Sequence, residues 1–183
     1  AYPTPAIVSE AWELDFTYEK PRLIAVPDVH GETKWYWYMT YMVENHTDAP
    51  RLFVPEVTIA TDAGHILTAG QNVPPSVFRA VKDHVANPLL RDPVQVVGKL
   101  LEGEDQARES VAIWRWDPDA DVDQLRIFVG GLSGENAVVP HPLNADEQVV
   151  MTKQMMITYA VPGTNVHPQD QQVLPRGQTW VMR

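Results

Sequence analysis

The amino-acid sequence predicts an all-β protein: an antiparallel β-sandwich of about eight to nine strands with one inserted helix near residues 75–86. Three observations lead there. Short runs of β-branched and aromatic residues alternate with a period of two. Sixteen prolines, spread over the whole chain, cut those runs to strand length. A single stretch keeps apolar residues at helical spacing.

Taken in order, Trp12–Thr17 alternates and reads as a first strand, and Arg22–Val26 as a second, closed by Pro27. Lys34–Glu44 has the strongest β character. Trp35, Trp37, Met39, Tyr41 and Val43 fall on one face, and Tyr36, Tyr38, Thr40, Met42 and Glu44 on the other. Both faces are largely apolar, so this strand is expected at the centre of a sheet with both sides covered. Asn45-His46-Thr47-Asp48-Ala49-Pro50 has the residue types of a turn. Its first three residues also match a glycosylation acceptor. Leu52–Thr61 then returns, expected as the hairpin partner of Lys34–Glu44, and Asp62-Ala63-Gly64 is the next turn.

Pro74-Pro75-Ser76 opens the helix, Val77, Phe78, Val81 and Val85 share one stripe, and Asn87-Pro88 stops it. It is expected as an insertion on the edge or end of the sandwich. Further strands are predicted at Val94–Leu101, Val111–Trp116, Gln124–Leu132 and Val149–Val161, with Thr179–Met182 as a final edge strand. Gly130-Gly131-Leu132-Ser133-Gly134 is followed by no helix and reads as a bulge or turn. Residues 1–183 are expected to form one domain, with 1–10 and 163–178 as irregular extended segments.

A chain of 183 residues is long enough to bury a core without staples. Its net charge of −10 repels phosphate backbones and anionic lipid heads, which excludes nucleic acid and membrane surfaces as favoured partners. No apolar run is long enough to span a membrane as a helix. With no cysteine, thiolate chemistry and disulfides are excluded. The sequence starts Ala1-Tyr2-Pro3-Thr4-Pro5 without an initiator Met, which suits signal-peptide removal and export to the periplasm, cell surface or exterior.

Three features together resemble immunoglobulin-like domains of exported bacterial proteins. They are the aromatic strand ending in Val43-Glu44-Asn45-His46-Thr47, the strand ending in Thr61-Asp62-Ala63-Gly64, and Leu101-Glu102-Gly103-Glu104 leading into Val111-Ala112-Ile113-Trp114. The stretch Gly103–Trp114 with the terminal Trp180-Val181-Met182-Arg183 also looks like uncharacterised exported proteins of planctomycete-type bacteria. The first resemblance implies an immunoglobulin-like sandwich. Neither implies a catalytic residue.

Three constellations could carry chemistry. Val26-Pro27-Asp28-Val29-His30-Gly31 looks like the first metal-binding segment of metallophosphoesterases, with Asp28 and His30 as ligands, although Pro27 replaces a glycine and the downstream ligand motifs are missing. Asp117, Asp119, Asp121 and Asp123 alternate at the spacing of calcium-binding loops, and could hold calcium. The same residue types make a solvated loop. Trp114 and Trp116 share one strand face, which gives a sugar-binding platform if outward and sandwich core if inward.

Three function classes follow. The first is a non-enzymatic binding or structural module that engages a protein partner or associates with itself through an exposed edge strand or through irregular segments such as Pro140-His141-Pro142. The second is a carbohydrate-binding module with possible structural calcium. The third is a metal-dependent hydrolase using Asp28 and His30.

Overall fold

The structure is a computed structural model that describes residues 2–7, 11–163 and 168–183. In chain order the first half holds β1 (Asp15–Tyr18), β2 (Arg22–Pro27), β3 (Thr33–Glu44), β4 (Arg51–Phe53), β5 (Glu56–Thr61), β6 (Ile66–Thr68) and α1 (Pro75–Val85). The second half holds β7 (Gly98–Leu100), β8 (Arg108–Trp116), β9 (Gln124–Gly130), β10 (Asn136–Pro140), β11 (Gln148–Ala160) and β12 (Leu174–Met182). The all-β class with one α-helix is therefore found, with twelve strands among the described residues rather than eight or nine.

Among the described residues the pairings between these strands are all antiparallel, with isolated parallel bridges only at Asn45–Glu102 and Arg91–Ser110. β3 is the centre of the first sheet, pairing β1 through Tyr41–Glu44, β2 through Thr33–Tyr38 and β8 through Trp35–Val43. β8 spans residues used by both β1 and β2, so it must occupy the opposite edge of β3. In the second sheet β5 joins β6 to β9, and β9 joins β5 to β11. β11 carries three partners: β10 on Gln148–Thr152, β9 on Met155–Ala160 and β12 on Lys153–Ala160. β4 and β7 form a small third sheet.

The two large sheets pack face to face, which makes the sandwich. Trp37, Met39, Tyr41, Val43, Ala112 and Trp114 from the first meet Val57, Ile59, Leu125, Ile127, Ile157 and Tyr159 from the second in one core. A second core lies on the outer face of the first sheet. There Val77 and Val81 of α1, with Leu90, pack on Val26, Tyr36, Tyr38, Val111 and Ile113. This is why β3 is apolar on both faces: one side faces the sandwich and the other a helix.

Several expectations are corrected. β3 and the Leu52–Thr61 segment do not form a hairpin. Pro55 splits that segment into β4 and β5, and β5 pairs β9 and β6 in the other sheet. α1 covers a sheet face rather than an edge or end. Val94–Leu101 contributes only β7, and the first strand starts at Asp15. β6 and β10 are additional strands. β12 begins at Leu174, so 174–178 is strand rather than irregular, while residues 8–10 and 164–167 of the expected irregular segments lie outside the described residues.

Candidate functional site

The Asp28–Gly31 segment is the turn joining β2 to β3. Asp28 N–H donates to the Glu32 carbonyl at 2.8 Å, and the Asp28 carboxylate accepts from the backbone N–H groups of His30 and Glu32 at 2.8 and 2.9 Å. The carboxylate is thus occupied in shaping a tight hairpin. Among the described residues no three His, Asp or Glu side chains gather closely enough to hold a metal ion.

The same holds for the aspartate loop between β8 and β9. The Asp117 carboxylate accepts from Asp119 N–H at 3.0 Å, and its carbonyl accepts from Ala120 N–H at 3.1 Å, which closes a turn. Asp123 N–H is instead bound by the Asp62 carboxylate at 3.1 Å, anchoring the start of β9 to the β5–β6 turn. Among the described residues, Asp117, Asp119, Asp121 and Asp123 belong to no group of three or more His, Asp or Glu side chains placed to share a metal ion.

Both candidate tryptophans point inward. Trp114 is completely buried, and its indole N–H donates to the Val57 carbonyl of the opposing sheet at 3.3 Å. It offers no face to a ligand, because β8 turns it toward the second sheet. Trp116 is 7% exposed and packs edge-to-face on Trp37, with ring centroids 5.8 Å apart. Its remaining edge borders a cleft of about 470 Å³ lined by Leu23, Ala120, Val122 and Val161, with Asp119 and Asp121 beside them.

Asn45, the glycosylation candidate, is also buried. Its side-chain amide donates to the Ala49 and Leu100 carbonyls, both at 2.9 Å, while its oxygen accepts from Thr47 N–H and Oγ1. The amide nitrogen is consumed by the fold. Beside it His46 is held above its usual pKa, chiefly by the Glu44 carboxylate at 2.7 Å and further by Asp15.

Two places were not anticipated. The first is the ribbon of β10 with the start of β11. Val138 and Val150 are direct cross-strand partners yet 54% and 61% exposed, and Leu143 in the connecting turn is 91% exposed. The second is Lys153 on β11, whose Nζ lies 2.9 Å from a Glu13 carboxylate oxygen and 3.2 Å from one of Glu135. Trp12–Leu14 runs alongside Leu132–Gly134, which delivers both glutamates: Leu14 N–H donates to the Leu132 carbonyl at 2.8 Å and Gly134 N–H to that of Trp12 at 3.0 Å. The path requires Gly131, whose φ of +90° suits glycine and whose Cβ would collide with the Val54 carbonyl. The other Glu135 oxygen accepts from Ala6 N–H at 2.8 Å, and Tyr2 hydroxyl donates to the Met182 carbonyl at 2.8 Å. Residues 2–7 are thus tied over this region.

The sequence carried a signal for Lys153. It falls in the buried row Met151, Met155, Ile157 and Tyr159 of a strand with period two, where a charged residue must find partners.

No protein-family model, no curated protein and no solved structure matches this chain. Among the described residues no helix is long and apolar enough to cross a membrane.

Proposed function

We propose that this chain is a non-enzymatic binding or assembly module that engages a protein partner, a second copy in the simplest case, through the β10–β11 ribbon. The observation that carries this reading is the exposed valine pair. Val138 and Val150 sit opposite each other on a two-stranded ribbon, with Leu143 beyond them, and no residue of the described chain covers them. Burying one such side chain contributes about 1.5–3 kcal/mol, so an uncovered cluster has a clear route to stabilisation by contact. The net charge of −10 on each copy opposes self-association, so pairing through the valines should strengthen as salt screens that repulsion.

Sedimentation velocity across a concentration series tests the simplest case. The purified chain should associate as concentration rises, and a Val138→Lys, Val150→Lys double variant should stay monomeric while remaining folded. A parent chain that stays monomeric at every concentration removes self-association. Indifference of association to the double variant removes the ribbon.

A carbohydrate-binding reading has one observation in its favour, the cleft that borders Trp116 with Asp119 and Asp121 beside it. Binding on a glycan array that is lost in Asp119→Ala would support it, and no binding to any glycan would dismiss it.

A further inference from the structure

On the outer face of the first sheet, α1 covers Val26, Tyr36, Val111 and Ile113 and ends beside Tyr38. There the His84 ring meets the Tyr38 ring edge-on, with centroids 6.2 Å apart and planes at 81°. Past that end a cleft opens along β2 and β3. Its two parts, of about 280 and 470 Å³, share Lys20, Arg22, Tyr38 and His84. Strand register brings these residues together. Arg22 is the direct antiparallel partner of Tyr38, and directly opposed residues project from the same face of a sheet. Glu19 N–H donates to the Thr40 carbonyl at 3.0 Å, which draws the chain at Lys20 in beside β3.

Three features of this cleft call for an anion. The chain carries a net charge of −10, yet among the described residues Lys20, Arg22 and His84 have no salt-bridge partner. Among the described residues no acidic side chain lines the larger part of the cleft, and only Glu19 lines the smaller. Tyr38 is 5% exposed, and its hydroxyl makes no hydrogen bond to any described residue while still reaching the surface. A hydroxyl so nearly buried normally has a partner. Burial pushes the Tyr38 phenol pKa above its usual value, against the downward pull of the Arg22 charge. The phenol therefore keeps its proton at neutral pH and is free to donate it.

We infer that this cleft binds a small organic acid, whose carboxylate is received by Arg22, Lys20 and the Tyr38 hydroxyl and whose apolar body lies along Leu23, Ile24 and Trp35. The guanidinium fork of Arg22 matches the two oxygens of a carboxylate, and Lys20 adds a second positive charge. The walls decide the rest of the ligand. Leu23, Ile24, Ala25 and Trp35 line the larger part next to the basic end, so a bare inorganic anion would leave apolar surface in water. A neutral molecule would leave the two cations unanswered. A space of about 470 Å³ is of the size that holds a small ligand. The site is independent of the β10–β11 ribbon, which contributes no residue to either part of the cleft.

An NMR titration of backbone amides with benzoate tests this, with benzamide as the neutral match in shape and inorganic phosphate as the bare anion. Benzoate should bind saturably at millimolar concentration and shift amides in 19–25, 35–40 and 82–86. Benzamide should bind about tenfold more weakly, the scale of one hydrogen bond to a charged group. Arg22→Gln should weaken benzoate by about tenfold on the same ground. Tyr38→Phe keeps the ring and its packing and should weaken benzoate by about fivefold, the scale of a neutral hydrogen bond. No saturable shift with benzoate overturns the proposal, as do shifts centred elsewhere on the molecule or benzamide binding as tightly as benzoate. Phosphate binding as tightly as benzoate would overturn the assignment to an organic acid. Unchanged benzoate affinity in both variants would remove Arg22 and Tyr38 from the site and the proposal with them. The ligand comparisons use the parent chain alone, so they decide the matter even if a variant fails to fold.

Discussion

At the scale of single residues, the inward or outward direction of the large rings decides what this surface can do. Trp114 fills the space between the sheets and adds a hydrogen bond to the Val57 carbonyl. Trp114→Ala should therefore cost about 3–5 kcal/mol, as deletion of a buried aromatic ring generally does, read as a lowered urea midpoint. A stability change near zero would mean that the ring lies outside the core. Period-two alternation placed Trp114 and Trp116 on one face from sequence alone. It did not say which face was inward, because that depends on where the second sheet lies. Lys153 is the opposite case, since its position in an apolar row was visible but its partners were not. Glu13 and Glu135 are distant in sequence and reach it only because Trp12–Leu14 runs beside Leu132–Gly134.

At the scale of elements, β3 and α1 were the most legible. β3 declared its double coverage through aromatic residues on both faces, and α1 through the Val77, Phe78, Val81, Val85 stripe between proline signals. Long-range pairings were not legible. Proximity in sequence suggested that β3 would fold back on Leu52–Thr61, but Pro55 redirects the chain into the other sheet. β10 was missed because Asn136–Pro140 is a short run with a proline at its end, and only its pairing to β11 makes it a strand.

The segment 2–7 has a pH dependence of its own. The Ala6 amide, and after it Lys153, hold the Glu135 carboxyl below the usual carboxylate range against the opposing effect of burial. A carboxyl with a lowered folded-state pKa contributes stability above its unfolded pKa and loses it as pH falls through the folded value. Limited proteolysis within residues 2–7 should therefore stay slow at neutral pH and accelerate only below the ordinary carboxylate range. Glu135→Gln should be cleaved faster at neutral pH. Equal cleavage of variant and parent would show that Glu135 does not tie the segment down.

At the scale of the whole molecule, the sandwich divides the chain into a packed body and an uncovered arm. The body has two apolar cores, one between the sheets and one under α1. β11 belongs to both parts. From Lys153 to Ala160 it is flanked by β12, with β9 on its other edge from Met155 onward, and from Gln148 to Thr152 it pairs β10 in a ribbon with exposed valines. Local stability should follow this division, because amides in packed sheets open only with the fold and those in a thin ribbon open locally. Hydrogen–deuterium exchange at low and high protein concentration is the most direct test. The account predicts slow exchange in β3, β8, β9 and residues 153–160 at both concentrations, and exchange in 136–152 that is fast when dilute and slows when concentrated. Exchange in 136–152 that ignores concentration, or is already as slow as the body when dilute, would contradict it.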